Sequence, residues 1–246
     1  MASGYKKKLS KFRRVVGDFV CHSHQVPSAT VQKKIDLSWI ESIKGDKSVC
    51  WSSIFIKAIS EASREHEELR ASYLNIPTAM WISDASIASI SIEREEADGE
   101  KIILYSQINS PETLSLKAID TTIKAYRINP LHMIEGYVNA NRVSWIPRWI
   151  RRKIFYLGLN LIGDFKAKNF GTYSISSVGC NGCSLVSADT LVGSLFTYDL
   201  IDYSTMNLRL TFDHRIYDGS TAARILNSIQ EKLNDIGLFN SSTINF

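Results

Sequence analysis

The segment that most constrains the fold is an alternating apolar run followed by a short polar turn and a second apolar pattern. Residues 205–213 alternate between apolar and polar side chains, which is typical of a β-strand with one buried face. Residues 222–233 carry apolar side chains at helical spacing, with Gly237 shortly beyond as a helix stop signal. The sequence between them, Asp213-His214-Arg215-Ile216-Tyr217-Asp218-Gly219, is therefore predicted to form a strand-to-helix turn.

His214 is the residue of this turn with the clearest chemical potential. Histidine has an ordinary pKa near neutrality, so it can take a proton from a reacting group at physiological pH. A turn between a strand and a helix holds its side chains firmly and places them at the edge of the fold. His214 is thus a candidate general base, and the alternative is a histidine with a structural role only.

Composition narrows the class of protein. The 246 residues are 44% hydrophobic and 22% charged, which is typical of a globular chain, and the net charge of +4 does not by itself indicate nucleic-acid binding. No apolar run has the length of a membrane span, and the basic start lacks the apolar core of a secretory signal. Four cysteines are too few for a disulfide framework, so we expect a reducing cytoplasm. Cys180-Asn181-Gly182-Cys183 has no second ligand pair at zinc spacing and is interpreted as a loop.

The remaining patterns predict a single α/β domain over residues 1–246, with 1–8 as a flexible basic tail. Helices are predicted within residues 1–26, 51–72 (capped by Ser52 or Ser53), 114–126 and 130–163 (broken at Pro147). Strands are predicted at residues 29–37, 86–93, 101–108, 171–178, 192–199 and 205–213, with a hairpin turn at Asp98-Gly99. This mixture favours helices packed against a largely antiparallel or mixed sheet.

The turn and three further blocks resemble a known group of enzymes. A His-x-x-x-Asp-Gly motif after an apolar strand is similar to the signature of chloramphenicol acetyltransferases and of the catalytic domain of 2-oxoacid dehydrogenase (dihydrolipoamide-type) acyltransferases, and Asp-His-Arg is closer to the latter. The other similar blocks are residues 9–14 with 27–37, residues 56–72, and residues 171–179. Residues 109–169 match least well, so we expect the choice of acceptor to be set there.

The resemblance implies a two-layer α/β sandwich with a mixed, largely antiparallel sheet, assembled as a homotrimer with active sites between subunits. It implies acyl transfer from a coenzyme A or carrier-protein thioester to a hydroxyl, amine or thiol acceptor, with no metal and no bound cofactor. His214 takes the place of the family's general base, and Ser176 that of the serine that stabilises the oxyanion. Ser177 is the fallback because a one-residue slip exchanges the faces of a strand.

Three further residues are implied as structural support of the site. In the family the aspartate of the motif pairs with an arginine near the N-terminus; Asp218 and Arg13 take those places, with Gly219 completing the motif. The family's complexes also carry lipoyl domains ahead of the catalytic domain. Because the similarity begins at about Leu9, we expect a free-standing domain without its own lipoyl arm. The alternatives are a non-catalytic trimeric scaffold and a core subunit of a 2-oxoacid dehydrogenase-like complex.

The segment Trp145–Tyr156 is both basic and aromatic. Such a segment can bind the phosphates of coenzyme A, an acidic acyl-carrier protein or a membrane surface, although membrane contact is not the expected outcome. The alternative is an amphipathic helix whose arginines face water. The sequence leaves these interpretations open.

Overall fold

The computed structural model describes residues 4–38, 49–177, 183–201, 204–235 and 239. The helices are α1 (Lys11–Ser23), α2 (Trp51–Glu65), α3 (Leu116–Ile128), α4 (Glu135–Ser144), α5 (Arg148–Leu161), α6 (Gly163–Phe170) and α7 (Gly219–Asn234). The strands are β1 (Ser28–Asp36), β2 (Ala71–Leu74), β3 (Ala79–Ile82), β4 (Ile87–Glu95), β5 (Lys101–Asn109), β6 (Tyr173–Ser176), β7 (Ser194–Leu200) and β8 (Thr205–Asp213). Short 3-10 turns lie at Glu67–Arg70, Pro111–Thr113 and Leu131–Met133.

The main sheet has six strands in the order β1-β8-β7-β6-β4-β5, and β2 pairs with β3 in a separate hairpin. The pairs β1–β8, β8–β7 and β4–β5 are antiparallel, whereas β7–β6 and β6–β4 are parallel. The predicted fold class, an α/β sandwich with a mixed and largely antiparallel sheet, is confirmed.

One face of the sheet forms the core. Alternate residues of β8, from Met206 to Phe212, are fully buried on this face, in one apolar core with residues of α2, α3 and α7. Each of these helices presents an apolar stripe to the strands, which is the usual way for a helix layer to cover a sheet. The alternation read from residues 205–213 therefore identifies the core face of β8 correctly.

The opposite face of the same strands is polar. A row of directly paired residues crosses it from β6 to β1: Ser176, Thr197, Arg209 and Gln32. Arg209 is almost fully buried, forms an ion pair with Asp199 and donates from Nε to Gln32 Oε1 at 2.6 Å. A buried charge is stable only when it is paired and hydrogen-bonded, so this network fixes the polar face at the level of Ser176.

The end and the N-cap residue of α2 differ from the prediction. The helix predicted over 51–72 ends at Glu65, because residues 67–70 form a 3-10 turn and Ala71 begins β2, which pairs with β3. Cys50, rather than Ser52 or Ser53, is the N-cap residue of α2, and the Ser53 hydroxyl instead donates to Asp120 Oδ1 at 2.9 Å. The prediction also missed β2, β3 and α6. Strands of four residues carry too few side chains to establish a period of two.

Some predictions fall outside the described residues. They concern Val178-Gly179, the Cys180-Asn181-Gly182 part of the Cys-x-x-Cys motif, and the helix stop at Gly237. Cys183 is described and is an exposed free thiol. Within the part of the chain that the structure describes, no helix combines the length and apolar character that crossing a bilayer requires.

Candidate active site

His214 lies on the turn between β8 and α7, with its side chain exposed. Its backbone N–H donates to Pro27 O at 2.9 Å, which ties the turn to the segment before β1. Its ring packs against Phe212 with centroids 5.6 Å apart, and Phe212 in turn stacks on Tyr217 at 4.8 Å. The imidazole is therefore accessible, while its backbone and one ring face are held in place.

A buried charge cluster supports the same turn from behind. The Arg215 guanidinium donates to both oxygens of the buried Asp213 carboxylate, at 2.9 and 2.7 Å, and lies 4.2 Å above the Tyr73 ring. Lys166 of α6 is buried beside this pair. Burial lowers the pKa of Lys166 to about 8; the Asp213 carboxylate opposes this shift and Arg215 adds to it. The prediction did not include Lys166, because nothing in its local sequence places it near residue 213.

The predicted pairing of Asp218 with Arg13 is wrong within one chain. Asp218 is exposed and caps α7, where its Oδ1 accepts from Thr221 N at 2.9 Å and from Ser220 Oγ at 2.8 Å. These hydrogen bonds, that from the Thr221 N–H first, lower the pKa of Asp218 to about 2. Arg13 is also exposed, and its Nε lies 3.7 Å from Glu100 of the β4–β5 hairpin. Asp218 is thus satisfied by a helix start, as aspartates commonly are.

Gly219 is the first residue of α7, where an added Cβ would meet no atom within 4 Å. Its position next to the cap of α7 therefore imposes no steric need for glycine inside the chain.

Ser176 is the last residue of β6, and its half-exposed side chain lies on the polar face beside Thr197. Gly171, before β6, has φ +84°, and a Cβ there would come 2.8 Å from Ile87 O, so only glycine fits this entry to the strand. No described residue hydrogen-bonds the Ser176 hydroxyl, which leaves it available as a donor. Ser177 is exposed on the opposite side of the strand, and its hydroxyl donates to Tyr198 O at 3.2 Å.

The two predicted catalytic residues do not meet in one chain. Ser176 pairs with Thr197, and Thr197 pairs with Arg209, so Ser176 is level with Arg209 two strands away. His214 is five residues further along β8. With about 3.4 Å per residue along a strand and about 4.8 Å between strands, the two Cα atoms are about 20 Å apart. A hydrogen bond to a common reacting group is impossible over this distance.

A cavity of about 390 Å³ opens beside Ser177, at the carboxyl ends of β6 and β7. It is bounded by the start of α2 and by Arg127 near the end of α3, and Tyr198 lies in its wall. Its lining combines apolar side chains with a few polar groups, among them Ser177 and Arg127, and these features make it a candidate approach route for a ligand.

The three arginines of the Trp145–Tyr156 segment converge on one buried carboxylate. Arg148, Arg151 and Arg152 all contact the fully buried Asp18 of α1, with Arg151 Nε donating to Asp18 Oδ2 at 2.7 Å. Burial raises the pKa of Asp18, but hydrogen bonds from Arg151, Arg148 and Arg152 outweigh this, so the pKa is lowered. The interpretation of an amphipathic helix with its arginines facing water is therefore wrong for Arg151, which is only 4% exposed.

One group of carboxylates among the described residues has the spacing of metal ligands. Oxygens of Glu96, Asp98 and Glu100 lie within 4.8 Å of one another at the β4–β5 turn. Glu96 accepts from the Tyr137 hydroxyl at 2.9 Å, and Glu100 from the Ser10 hydroxyl at 3.0 Å. This turn joins the two strands at the edge of the sheet opposite β1, and we assign the group no role in the site.

The chain is similar to a family of known enzymes in one segment and to several solved structures over most of its length. Residues 196–239, which include His214 and Asp218, match the family model of the 2-oxoacid dehydrogenases acyltransferase catalytic domain. A dihydrolipoamide acetyltransferase from Azotobacter vinelandii has 16% identity and a TM-score of 0.68, over 97% of this chain and 94% of that one. The cubic core of a pyruvate dehydrogenase multienzyme complex has 15% identity and a TM-score of 0.67 over the same shares.

A chloramphenicol acetyltransferase has 10% identity and a TM-score of 0.50, over 92% of this chain and 96% of that one. None of the curated protein sequences compared with the chain matches it. At these identities the structural matches establish the fold. The resemblance seen in the sequence is thus confirmed for the fold as a whole, and for the family model in the segment that carries His214.

Proposed function

We propose that this protein is an acyltransferase that moves an acyl group from a thioester to a hydroxyl, amine or thiol, with His214 as general base and Ser176 as oxyanion donor. The observation that carries the proposal is the His214 turn. Its imidazole is exposed at a strand-to-helix junction, and Pro27, Phe212 and the Asp213–Arg215 pair hold that junction in place. A base must be both accessible and oriented to be effective.

The reaction is then a direct transfer. His214 takes the proton of the acceptor as the acceptor atom attacks the thioester carbonyl, and the Ser176 hydroxyl donates a hydrogen bond to the tetrahedral oxyanion. The intermediate collapses, the carbon–sulfur bond breaks, and the leaving thiolate receives the proton from His214. A positioned base typically contributes about 10²–10⁴ in rate, and one oxyanion donor about 10²–10³.

The separation of about 20 Å within one chain implies that His214 of one copy works with Ser176 of another. A closed ring of identical chains can bring the two ends of the sheet together at every interface. We propose a homotrimer with one site at each interface, in which residues 1–246 act as one catalytic domain. Ser176 is favoured over Ser177 as the oxyanion donor, because the Ser177 hydroxyl already donates to Tyr198 O.

The donor in this proposal is an acyl-coenzyme A or an acyl-carrier-protein thioester, used as a co-substrate. Two of the similar structures are acetyltransferases named for different acceptors, dihydrolipoamide and chloramphenicol, so the fold is compatible with more than one acceptor class. We keep the cytoplasm as the proposed compartment, since Cys21, Cys50 and Cys183 are free thiols.

Thiol release tests the proposal. A panel of acyl-coenzyme A thioesters is incubated with a pool of small-metabolite acceptors and with wild-type protein, His214→Ala or His132→Ala. His132 is exposed on the 3-10 turn at 131–133 and serves as the matched control. We expect release from at least one thioester, reduced by about 10²–10⁴ in His214→Ala and unchanged in His132→Ala. Release that survives in His214→Ala would contradict the role of His214 as the base. Absence of release from every thioester would contradict acyl-coenzyme A as the donor.

A second candidate is a core subunit of a larger complex. It is favoured by the match to the cubic core of the pyruvate dehydrogenase complex, which extends over 97% of this chain. Solution mass separates the two candidates: a free trimer has three times 27.7 kDa, whereas a core is a much larger particle. A trimer that releases no thiol would instead favour a non-catalytic scaffold.

A further inference from the structure

Helix α5 presents an apolar face to solvent. The exposed large apolar side chains cover an arc of about 160° at 3.6 residues per turn: Trp149, Ile154, Tyr156, Leu157 and Leu161. The exposed Lys153 lies within the same arc. Trp149 is 66% exposed and Leu157 is 51% exposed. The inner side of α5 buries Phe155 and Leu159 as a surface helix normally does, so the exposed apolar side chains are additional to those that face the core.

A buried charge helps to hold α5 in this orientation. The inner side of α5 carries Arg151, which lies with Arg148 and Arg152 around the buried Asp18 carboxylate. Turning α5 over would remove these arginines and leave Asp18 buried and unpaired, which is strongly destabilising. The apolar face is consequently held outward by an ionic contact on the opposite side of the helix.

The exposed apolar surface extends beyond α5 at both ends. Trp145, just before the helix, is 72% exposed. At the other end, the backbone N–H groups of Asn75 and Ile76 donate to Asn160 O, which brings the exposed Ile76 next to Leu161. Single exposed apolar residues need no explanation, but a contiguous patch of this kind marks an interaction site. We call the residues Ile76, Trp145, Trp149, Ile154, Tyr156, Leu157 and Leu161 the α5 surface.

The charges around the α5 surface are positive. Residues 148–161 contain three arginines and Lys153 but no acidic residue, and Asp18 balances only one of these four charges. Lys153 Nζ lies 5.8 Å from the Trp149 ring centroid, and Lys11 Nζ lies 3.7 Å from that of Trp145. Tryptophan, tyrosine and lysine side chains each combine an apolar body with a polar end, and this combination is characteristic of a lipid–water interface.

We infer that the α5 surface docks on the surface of an anionic lipid bilayer, with α5 parallel to the membrane plane. The apolar side chains enter the boundary between headgroups and acyl chains, while Lys11 and Lys153 contact anionic headgroups. A two-fold contact between the α5 surfaces of two copies fits less well, because it would bring the surplus cations of both copies together. The inference is independent of the proposed catalytic function.

Vesicle co-sedimentation of the full chain tests this inference. The probes are phosphatidylcholine vesicles with and without phosphatidylglycerol. We expect the wild type to sediment with the anionic vesicles and to be released by salt. The double variant Trp149→Ser/Leu157→Ser should lose binding, and Lys153→Gln should weaken it about fivefold. Ile128→Ser is the matched control, because Ile128 is 79% exposed at the end of α3, outside the α5 surface.

A second measurement does not depend on folding of the serine variants. Brominated lipid should quench the tryptophan fluorescence of the wild type, and Trp145→Phe/Trp149→Phe should remove most of the quenching while keeping the surface apolar. Absence of quenching, or equal binding by the double serine variant and Ile128→Ser, overturns the inference. The inference is also overturned if the wild type does not bind vesicles and Trp149→Ser/Leu157→Ser dissociates the oligomer, because the α5 surface is then a contact between copies. His214→Ala should bind vesicles like the wild type, which keeps this outcome separate from catalysis.

Discussion

Mixing two inactive variants is the most direct test of a site shared between chains. His214→Ala removes the proposed base, and Ser176→Ala removes the proposed oxyanion donor. The strand register places their Cα atoms about 20 Å apart in one chain. That distance is far beyond the reach of about 3 Å that proton transfer needs. Each homo-oligomeric variant should therefore be inactive, whereas a mixed oligomer can contain an intact site.

The expected recovery follows from the geometry of a ring. A site is intact when the chain giving His214 is the Ser176→Ala variant and its neighbour is the His214→Ala variant. Random assembly of equal amounts satisfies both conditions at about one quarter of the interfaces. Co-expression with two different affinity tags, followed by sequential purification, yields mixed oligomers whose composition is known. Thiol release per interface should then reach about one quarter of the wild-type value, corrected for the tag selection.

The matched control is a double variant, His214→Ala/Ser176→Ala, combined with either single variant. In each of these mixtures every chain lacks the same one of the two residues, so no interface can hold both and no activity should be recovered. Mixed oligomers of the two single variants that stay as inactive as either parent would refute the shared site. That result would place both residues of a working site in the same chain, or remove one of them from catalysis.

Three further predictions concern charges that the fold holds in place. Asp18→Asn should lower the free energy of unfolding by about 3–5 kcal/mol in urea titrations, since it leaves three arginines without their buried partner. The pKa of Asp18 is lowered in the fold. The stability that this carboxylate contributes is therefore present above its unfolded pKa and is lost as the pH falls through its folded pKa. The pKa of Lys166 is about 8 in the fold, so the unfolded chain binds more protons between about pH 8 and 10.5 and stability should rise over that window. Lys166→Met should remove this rise and add about 2–3 kcal/mol at pH 7 in the same titrations. Arg13→Ala should change the free energy of unfolding by less than about 0.5 kcal/mol, because Arg13 is an exposed partner of Glu100. A loss of several kcal/mol would instead indicate that Arg13 is paired with Asp218 in a buried contact.

The parts of the fold that the sequence predicts are those with a strong local pattern. Residues 205–213 alternate cleanly because β8 has helices on one face and polar partners on the other. The turn at Asp98-Gly99 is predicted because Gly99 adopts φ +82° there, a conformation that glycine reaches without strain. His214 itself is found from its place at the end of such a strand.

The parts that the sequence does not predict depend on contacts between distant residues. Asp18 and Arg151 are 133 positions apart, and neither has a neighbour that announces the pair. The Arg13–Asp218 pair is likewise not formed within one chain. The resemblance supplied two residues of suitable charge, but an exposed carboxylate at a helix start was already satisfied by the Ser220 hydroxyl and Thr221 N–H. Charge identity alone does not select a partner when local donors compete.

The segment that matches the family least, residues 109–169, contributes physically to the candidate site. It contains α5 and α6, and α6 places Lys166 beside Asp213 and Arg215, directly behind the His214 turn. The two helices meet at Gly163, where an added Cβ would come 2.2 Å from the Trp81 ring. Such close packing leaves the junction little freedom to bend. The packing at Gly163 therefore fixes where α6 begins, and with it the position of Lys166 behind the His214 turn.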